Sequence, residues 1–392
     1  MAQKKNLLIV SSRFPYPLEK GDKLRLFNQI KDLSEHFNLH LFSISESTIS
    51  RTDQQEVLKY VDHLYIHELS LVNKLSQLCF GLWSKKPLQV HYFYNKQGQK
   101  KLDELVIKWN IDLIYCQLIR MTEYVVAYDK YKVLDYMDAF SLGLDRRIAS
   151  ANWIQKPILE LEKSRVEAYQ NVQAENFDKL FIIAEKDQQS IETHKSIDLL
   201  RNGVDFNFFK PQKRTKTYSL VFVGNMQYHP NVLAAQFLVK EILPLCKSQG
   251  VNLNILIAGA NPTKDIKNLA SKDVTVSGWM DDIREAYWES DIFVAPLFTG
   301  SGLQNKVLEA MACKIPVITT PIVNNSIGAN RIEEIRIADT KEAFAKEIVE
   351  LLTVMSESDR EQLTKNAYKF VQNKFGWKEN NRILVEALNN GM

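Results

Sequence analysis

Lys306 and Glu309, one helical turn apart, follow a glycine-rich run, Gly300-Ser301-Gly302-Leu303-Gln304-Asn305, and open a helical pattern that runs to Ala312. An apolar strand, residues 291–296, leads into this run. A loop of that kind offers backbone N–H groups to an anion, and the helix start adds its positive end. Lys306 supplies a point charge and Glu309 a carboxylate within reach. The arrangement suits a nucleoside diphosphate. It also suits a plain strand–turn–helix unit whose glycines only make the turn.

Two further groups of residues have the types needed for chemistry. Near the N-terminus, Lys20-Gly21-Asp22-Lys23 follows a short strand. Gly21 permits a tight loop and a close approach of backbone to ligand, and Asp22 is placed to cap the next helix. In the middle of the chain, Asp135-Tyr136-Met137-Asp138 follows another strand. A carboxylate at a strand end can orient or deprotonate a hydroxyl. Helix capping, or an ion pair with Arg146, is the plain alternative. Glu123 and Asp145 are weaker candidates of the same kind.

Positioning such residues takes a scaffold, and the pattern for one recurs along the chain. Short apolar strands at residues 7–10, 39–43, 112–115, 132–135 and 179–183 alternate with helical stretches, one from 23 to 37 and a long one from 142 to 176. A second series lies at 218–223, 253–258, 274–276, 291–295 and 315–319. Its strands end in small or polar residues, among them Gly224-Asn225, Gly259-Ala260 and Ser277-Gly278. This alternation predicts parallel sheets covered by helices, with ligands at the carboxyl ends of the strands. A turn signal, Asn202-Gly203-Val204-Asp205, and a charged stretch, residues 211–216, separate the two series.

Composition narrows the class. The chain has 392 residues, 45% of them hydrophobic and 25% charged, which suits two domains of a soluble protein. With 50 basic and 47 acidic residues, the formal charge of +3 does not point to nucleic acid. Cys79, Cys116, Cys246 and Cys313 are scattered singly, as expected of buried free thiols in a reducing compartment, and no metal-binding spacing is present. There is no Gly-x-Gly-x-x-Gly turn after a first strand, no Walker A sequence and no Gly-x-Ser-x-Gly elbow. Dehydrogenase, ATPase and esterase readings therefore fall. The N-terminus lacks a signal peptide's apolar run, and no stretch is long enough to span a bilayer. Residues 69–83 are unusual in carrying Leu71, Val72, Leu75, Leu78, Phe80, Leu82 and Trp83, followed by Lys85-Lys86 and later by Tyr92-Phe93-Tyr94. A core helix with an aromatic loop would look like this, and so would an amphipathic surface that touches lipid.

Taken jointly, several anchors resemble those of retaining glycosyltransferases of the GT-B fold, in glycosyltransferase family 4, and are most similar to sugar transferases of bacterial exopolysaccharide clusters. They are residues 13–17 with 20–23; Asn202 to Asp205 with Phe209 and Pro211; residues 222–226; Gly278-Trp279; Asp281-Asp282-Ile283; Ser290-Asp291; and residues 306–312 with Pro316-Val317. The resemblance spans nearly the whole chain. It implies an α/β fold of two Rossmann-like domains facing each other across a cleft. Residues 1–205 would form the acceptor side and 206–375 the nucleotide-sugar side, with a terminal helix, 376–392, packing back on the first.

The same resemblance implies transfer of a sugar from a nucleoside diphosphate sugar to a saccharide or lipid-linked saccharide acceptor. Anomeric configuration would be retained, with no metal and no other cofactor. Alternatives are a nucleotide-sugar 2-epimerase and a non-catalytic nucleotide-sugar binder. Glu309 matches the second glutamate of the family's Glu-x7-Glu motif, which holds the ribose hydroxyls. The first falls on Ser301, so the sugar contact must come from elsewhere, such as the backbone of Gly302, Leu303, Gln304 and Asn305 or the amide of Gln304. The usual basic pair for the diphosphate is missing. Gly224, Asn225 and His229 stand in its region and Lys306 is placed to compensate, with Arg13 and Lys23 as weaker candidates. Gly21 matches the loop near the donor phosphates, Asp138 a position near the anomeric centre, and Gly278 with Asp282 the loop around the nucleobase, where Trp279 reads as structural. Catalytic roles would fall to Asp138, Lys306 and Glu309. The setting implied is cytoplasmic, with contact at the inner membrane surface left open and no nucleic-acid partner.

Overall fold

The structure, a computed structural model, describes residues 4–18, 20–149, 151–153, 155–299 and 303–391. The chain divides into two compact units, one of Met1–Arg201 with Asn380–Met392 and one of Asn202–Glu379.

The first unit is built on a seven-stranded sheet: β1 (Asn6–Ser11), β2 (Asn38–Ser45), β3 (His63–Glu68), β4 (Leu113–Gln117), β5 (Tyr131–Asp135), β6 (Lys179–Ile182) and β7 (Ile197–Leu199). The spatial order is β3-β2-β1-β4-β5-β6-β7, and every pairing is parallel. Successive side chains of a strand point to opposite faces, and both faces of this sheet are covered. Leu7 and Ile9 enter one core with Leu39 and Leu41, whereas Leu8 and Val10 enter the other with Phe42 and Ile44. Burial on both sides explains why these strands read as unbroken apolar runs rather than as alternation. The chain's last helix, Trp377–Asn390, contributes Leu384 and Leu388 to the first of these cores.

The second unit carries a six-stranded sheet: β8 (Tyr218–Val223), β9 (Ile255–Ala258), β10 (Val274–Gly278), β11 (Ser290–Ala295), β12 (Val317–Thr319) and β13 (Arg336–Ile337). Its order is β10-β9-β8-β11-β12-β13, again all parallel. Each unit thus has a doubly wound sheet with one point where the strand order reverses. In the first it lies between β1 and β4, in the second between β8 and β11.

The stretch expected to be mostly helical, 142–176, is so, as two helices, Phe140–Ala149 and Gln155–Glu175. Other sequence expectations need correction. Asp22 is not the N-cap of the helix Gly21–Ser34, a position that falls to Lys20; it lies inside the first turn, where its Oδ1 accepts from the free Lys23 N–H at 3.0 Å. Of the two readings open for residues 69–83, a core helix does not fit: the helix Leu71–Leu82 exposes Leu71, Val72, Leu75, Phe80 and Leu82, and Leu78 is half-buried. Only Lys74 and Gly81 are buried there, because Gly81 faces the helix Leu88–Phe93 so closely that a Cβ would stand 2.9 Å from Leu88 Cδ2. Cys116, Cys246 and Cys313 are buried free thiols, but Cys79 is exposed on that same helix.

Candidate functional site

Where strand order reverses in an open parallel sheet, the loops after the two diverging strands part and leave a crevice at their carboxyl ends. In the second unit those strands are β8, which Gly224 follows, and β11, whose following loop leads to the helix Asn305–Ala312. Gly300, Ser301 and Gly302 lie outside the described residues, so the first part of the glycine-rich loop is not placed. From Leu303 onward the chain is described. Gln304 precedes the helix with extended backbone and makes no side-chain cap, and Asn305 Oδ1 is buried without a partner. The Gln304 side chain therefore leaves the first N–H groups of the helix uncapped.

Lys306 and Glu309 are half-buried on this helix, and their charged ends are largely cut off from water. Among the described residues the Lys306 ammonium has one hydrogen-bond acceptor, Asn231 Oδ1 at 2.5 Å. It also lies 5.1 Å from the centre of the Phe222 ring. The buried Asn231 side chain is fixed from its other end, because its Nδ2 donates to the Asn225 carbonyl at 2.9 Å. Burial with only a neutral acceptor lowers the Lys306 pKa to about 8, with the Glu309 carboxylate opposing the shift. The Glu309 carboxylate accepts from the Tyr287 hydroxyl at 2.8 Å. Burial raises its pKa, against the pull of Tyr287 and Lys306. A lysine so poised gains from any anion that enters beside it.

Glycines shape the rest of the crevice. A Cβ on Gly224 would stand 2.7 Å from Asn231 Nδ2 and 3.2 Å from Lys306 Nζ, so only glycine leaves room for this pair. Gly259 has φ +132°, and its N–H donates to the Gly278 carbonyl at 2.9 Å. Gly278 itself has φ +69°. Gly224, Gly259 and Gly278 thus bring the ends of β8, β9 and β10 together.

The other expected residues have settings of their own. Asp282 is held by Arg284, with Nε at 2.7 Å and Nη2 at 2.6 Å from its carboxylate oxygens. Arg284 in turn lies 4.1 Å over the Phe208 ring. This pair secures the start of the helix Arg284–Trp288, which carries Tyr287. Trp279 and His229 are exposed. In the first unit, Gly21 is exposed with open space around it, and Asp22 pairs with Arg13 at 2.5 Å. Asp138 is exposed just past β5, after Met137 with φ +60°. Its neighbour Asp135 is fully buried, bound by Arg25 Nε at 2.7 Å and by the Tyr115 hydroxyl at 2.7 Å. Glu123 pairs with Lys86 and accepts from Tyr169, and Asp145 pairs with Lys163. These last two carboxylates hold structure together. No group of three or more His, Cys, Asp and Glu residues suited to a metal occurs among the described residues.

Sequence reasoning missed Asn231 and Tyr287. Asn231 stands in a Tyr-His-Pro-Asn run just after Gly224, and Tyr287 in a short helix before β11. Neither carries a spacing signal, because their partners are 75 and 22 residues away in the chain.

Comparison with known proteins agrees with this architecture. Residues 217–354 match the family model described as glycosyl transferases group 1. An uncharacterised 44.6 kDa protein of the cps region of Klebsiella pneumoniae is 22% identical over 95% of this chain and 97% of its own length. The crystal structure of a glycosyltransferase from Rickettsia africae superposes with a TM-score of 0.68 at 15% identity, covering 99% of this chain and 98% of that one. The Anabaena protein Alr3699/HepE, solved in complex with UDP, gives 0.67 at 13% identity, over 98% of this chain and 100% of its own. The chain has the GT-B fold. Within it, the second unit is the part that matches the group 1 model, and that unit holds the Lys306 crevice.

Proposed function

We propose that this protein is a retaining glycosyltransferase, moving a sugar from a nucleoside diphosphate sugar to a saccharide or lipid-linked saccharide acceptor in bacterial polysaccharide synthesis. The observation that carries the reading is the desolvated Lys306, held by Asn231 beside Glu309 and Tyr287 at the strand-reversal crevice of the second unit. The group 1 match over that unit and the UDP-bound relative of the same fold support it.

In this proposal Glu309 accepts the two ribose hydroxyls, and Tyr287 orients its carboxylate. Lys306 and the backbone N–H groups of Gly302, Leu303, Gln304 and Asn305 receive the diphosphate, with Gly224 and Asn225 opposite. Gly278 and Asp282 belong to the loop around the base, and Gly21 to a loop near the phosphates. As the bond from the anomeric carbon to the phosphate oxygen breaks, negative charge gathers on the leaving diphosphate. Fixed donors that already face that position stabilise it without reorganising. The acceptor hydroxyl attacks from the same face, oriented by Asp138, and its proton passes to the departing phosphate oxygen. A nucleoside diphosphate sugar donor suits a cytoplasmic enzyme.

Contact with the inner membrane surface belongs to the same proposal. The helix Leu71–Leu82 and the residue after it expose Leu71, Val72, Leu75, Phe80, Leu82 and Trp83, the last 93% exposed. Trp153, Ile158 and Leu161 add exposed apolar surface near the start of the helix Gln155–Glu175, whose Arg165 bonds the Gly81 and Leu82 carbonyls. Between Glu68 and Asp103 the chain has Lys74, Lys85, Lys86, Lys96, Lys100 and Lys101 and no acidic residue. Lys74, Lys86 and Lys101 pair with Glu46, Glu123 and Glu104, which leaves Lys85, Lys96 and Lys100 as the basic residues that, beside exposed apolar side chains, suit an anionic lipid surface. Flotation with anionic vesicles should retain the wild type and release Trp83→Glu; equal flotation of both would remove this contact.

Incubation with labelled nucleotide sugars, with and without an extract of lipid-linked saccharides, tests the main reading. Label should pass to the acceptor only when acceptor is present, with the donor's anomeric configuration, and Glu309→Ala should abolish the transfer. Isomerised donor without acceptor would favour the epimerase reading. Binding without turnover would leave a binder.

A further inference from the structure

The first unit has its own strand-reversal crevice, between β1 and β4, and an arginine follows each of those strands. Arg13 comes two residues after β1, and Arg120 three residues after β4. The turn that brings Arg120 back passes through Leu118, a non-glycine residue with φ +72°, a strained conformation of the kind that collects at functional sites. Arg120 is 8% exposed. Its Nε donates to Ser12 Oγ at 2.8 Å, and its guanidinium lies 4.5 Å over the Phe93 ring. Arg13 Nη1 donates to Asp22 Oδ2 at 2.5 Å, while its Nε is buried without a partner.

The charge count at this crevice leaves a surplus of cation. One carboxylate oxygen, Asp22 Oδ2, serves both guanidinium groups, at 2.5 Å from Arg13 and 3.6 Å from Arg120. The neighbouring Glu46 is taken by Lys74 at 3.6 Å and by the Tyr92 hydroxyl. Burial, and then repulsion from Arg13, lower the Arg120 pKa to about 10. Two guanidinium groups hold up to ten N–H donors in fixed forks, and the hydrogen bonds and ion pairs just named use few of them.

We propose that Arg13 and Arg120 form an oxyanion-binding site of the first unit, which receives a phosphate or carboxylate group carried by the acceptor saccharide. Its assignment to the acceptor rests on the glycosyl-transfer reading; the anion site itself does not. The planar forks match either oxyanion, and the half-buried Tyr92 ring, edge-on to the buried Phe93, offers apolar surface near them for a sugar ring.

Calorimetric titration of the full chain tests this in two steps. UDP is added to saturation first, and inorganic pyrophosphate second. The second titration should show a binding event in the wild type and in Glu309→Ala. It should weaken roughly tenfold or more in Arg13→Gln and in Arg120→Gln, with UDP affinity within about twofold of wild type. Unchanged pyrophosphate binding in both arginine variants overturns the site, and an equal loss of UDP affinity overturns its assignment to the acceptor. Arg13 is the more exposed of the pair, so its variant decides if Arg120→Gln does not fold. Failure of the wild type to bind UDP would count against the donor reading while leaving the pyrophosphate arm intact. Glucuronate and glucose 1-phosphate are then compared with glucose. The two anionic sugars should bind more tightly than pyrophosphate, and glucose not at all; anionic sugars no tighter than pyrophosphate would remove the saccharide.

Discussion

Replacing Lys306 with methionine should make the ligand-free protein more stable and the nucleotide complex weaker. The lysine's pKa of about 8, against an ordinary 10.5, corresponds to about 3 kcal/mol of unfavourable free energy for carrying the ammonium in the fold. Methionine keeps the length and removes the charge. It also leaves Asn231 Oδ1 without its donor, which returns about 1 kcal/mol. The net gain at pH 7 is therefore about 2 kcal/mol, or roughly 4 to 8 °C in melting temperature for a unit of this size. A depressed lysine pKa means that the unfolded chain binds the proton more tightly, so wild-type stability rises with pH between about 8 and 10.5. By pH 9.5 about 1 kcal/mol of the penalty remains, matched by the lost Asn231 bond, and the two proteins should melt together. Thermal melts at both pH values, each with and without UDP, measure all of this. UDP should raise the wild-type midpoint and raise the variant's far less. A variant that melts below wild type at pH 7 without ligand, or that gains as much from UDP, would refute the desolvated-lysine account.

Three other expectations bear on the same sites. UDP affinity of the wild type should be flat below pH 8 and should fall by up to about tenfold per pH unit above it, as free Lys306 loses its proton; titration calorimetry from pH 7 to 10 reads this, and a flat profile would exclude the lysine from binding. Gly224→Ala puts a methyl group 2.7 Å from Asn231 Nδ2, so it should weaken nucleotide binding by about tenfold or more with the fold intact by circular dichroism. Asp138→Asn should lower turnover with a labelled donor far more than it lowers donor affinity; unchanged turnover would make Asp138 structural.

The strands that pattern recognition found are the central ones, such as β1, β4, β8 and β11, where burial on both faces leaves continuous apolar runs, together with one edge strand, β10. Those it missed, β3, β7 and β13, are all edge strands. β3 is half-buried, with two histidines and a glutamate, β7 has three residues and β13 two. An edge strand faces a neighbour on one side only, so packing imposes little pattern on it. The helix Leu71–Leu82 was ambiguous for a related reason. An apolar stripe records that a helix has two faces and says nothing of what lies against either; the close packing at Gly81 turned this one's stripe outward.

The sequence by itself determined the alternation of strand and helix, the glycines that end the strands, and the placing of Lys306 and Glu309 one turn apart on a helix. These are properties of residues close together in the chain, where backbone geometry converts spacing directly into position. Only the tertiary structure decided that Asn231 holds Lys306, that Tyr287 holds Glu309, and that Arg13 and Arg120 share Asp22. Strand order, β8 beside β11 and β1 beside β4, brings Asn231 to Lys306 and Arg120 to Asp22, while Tyr287 and Glu309 meet between the two helices that flank β11. Strand order follows from how whole helices and strands pack, so no local run of residues records it.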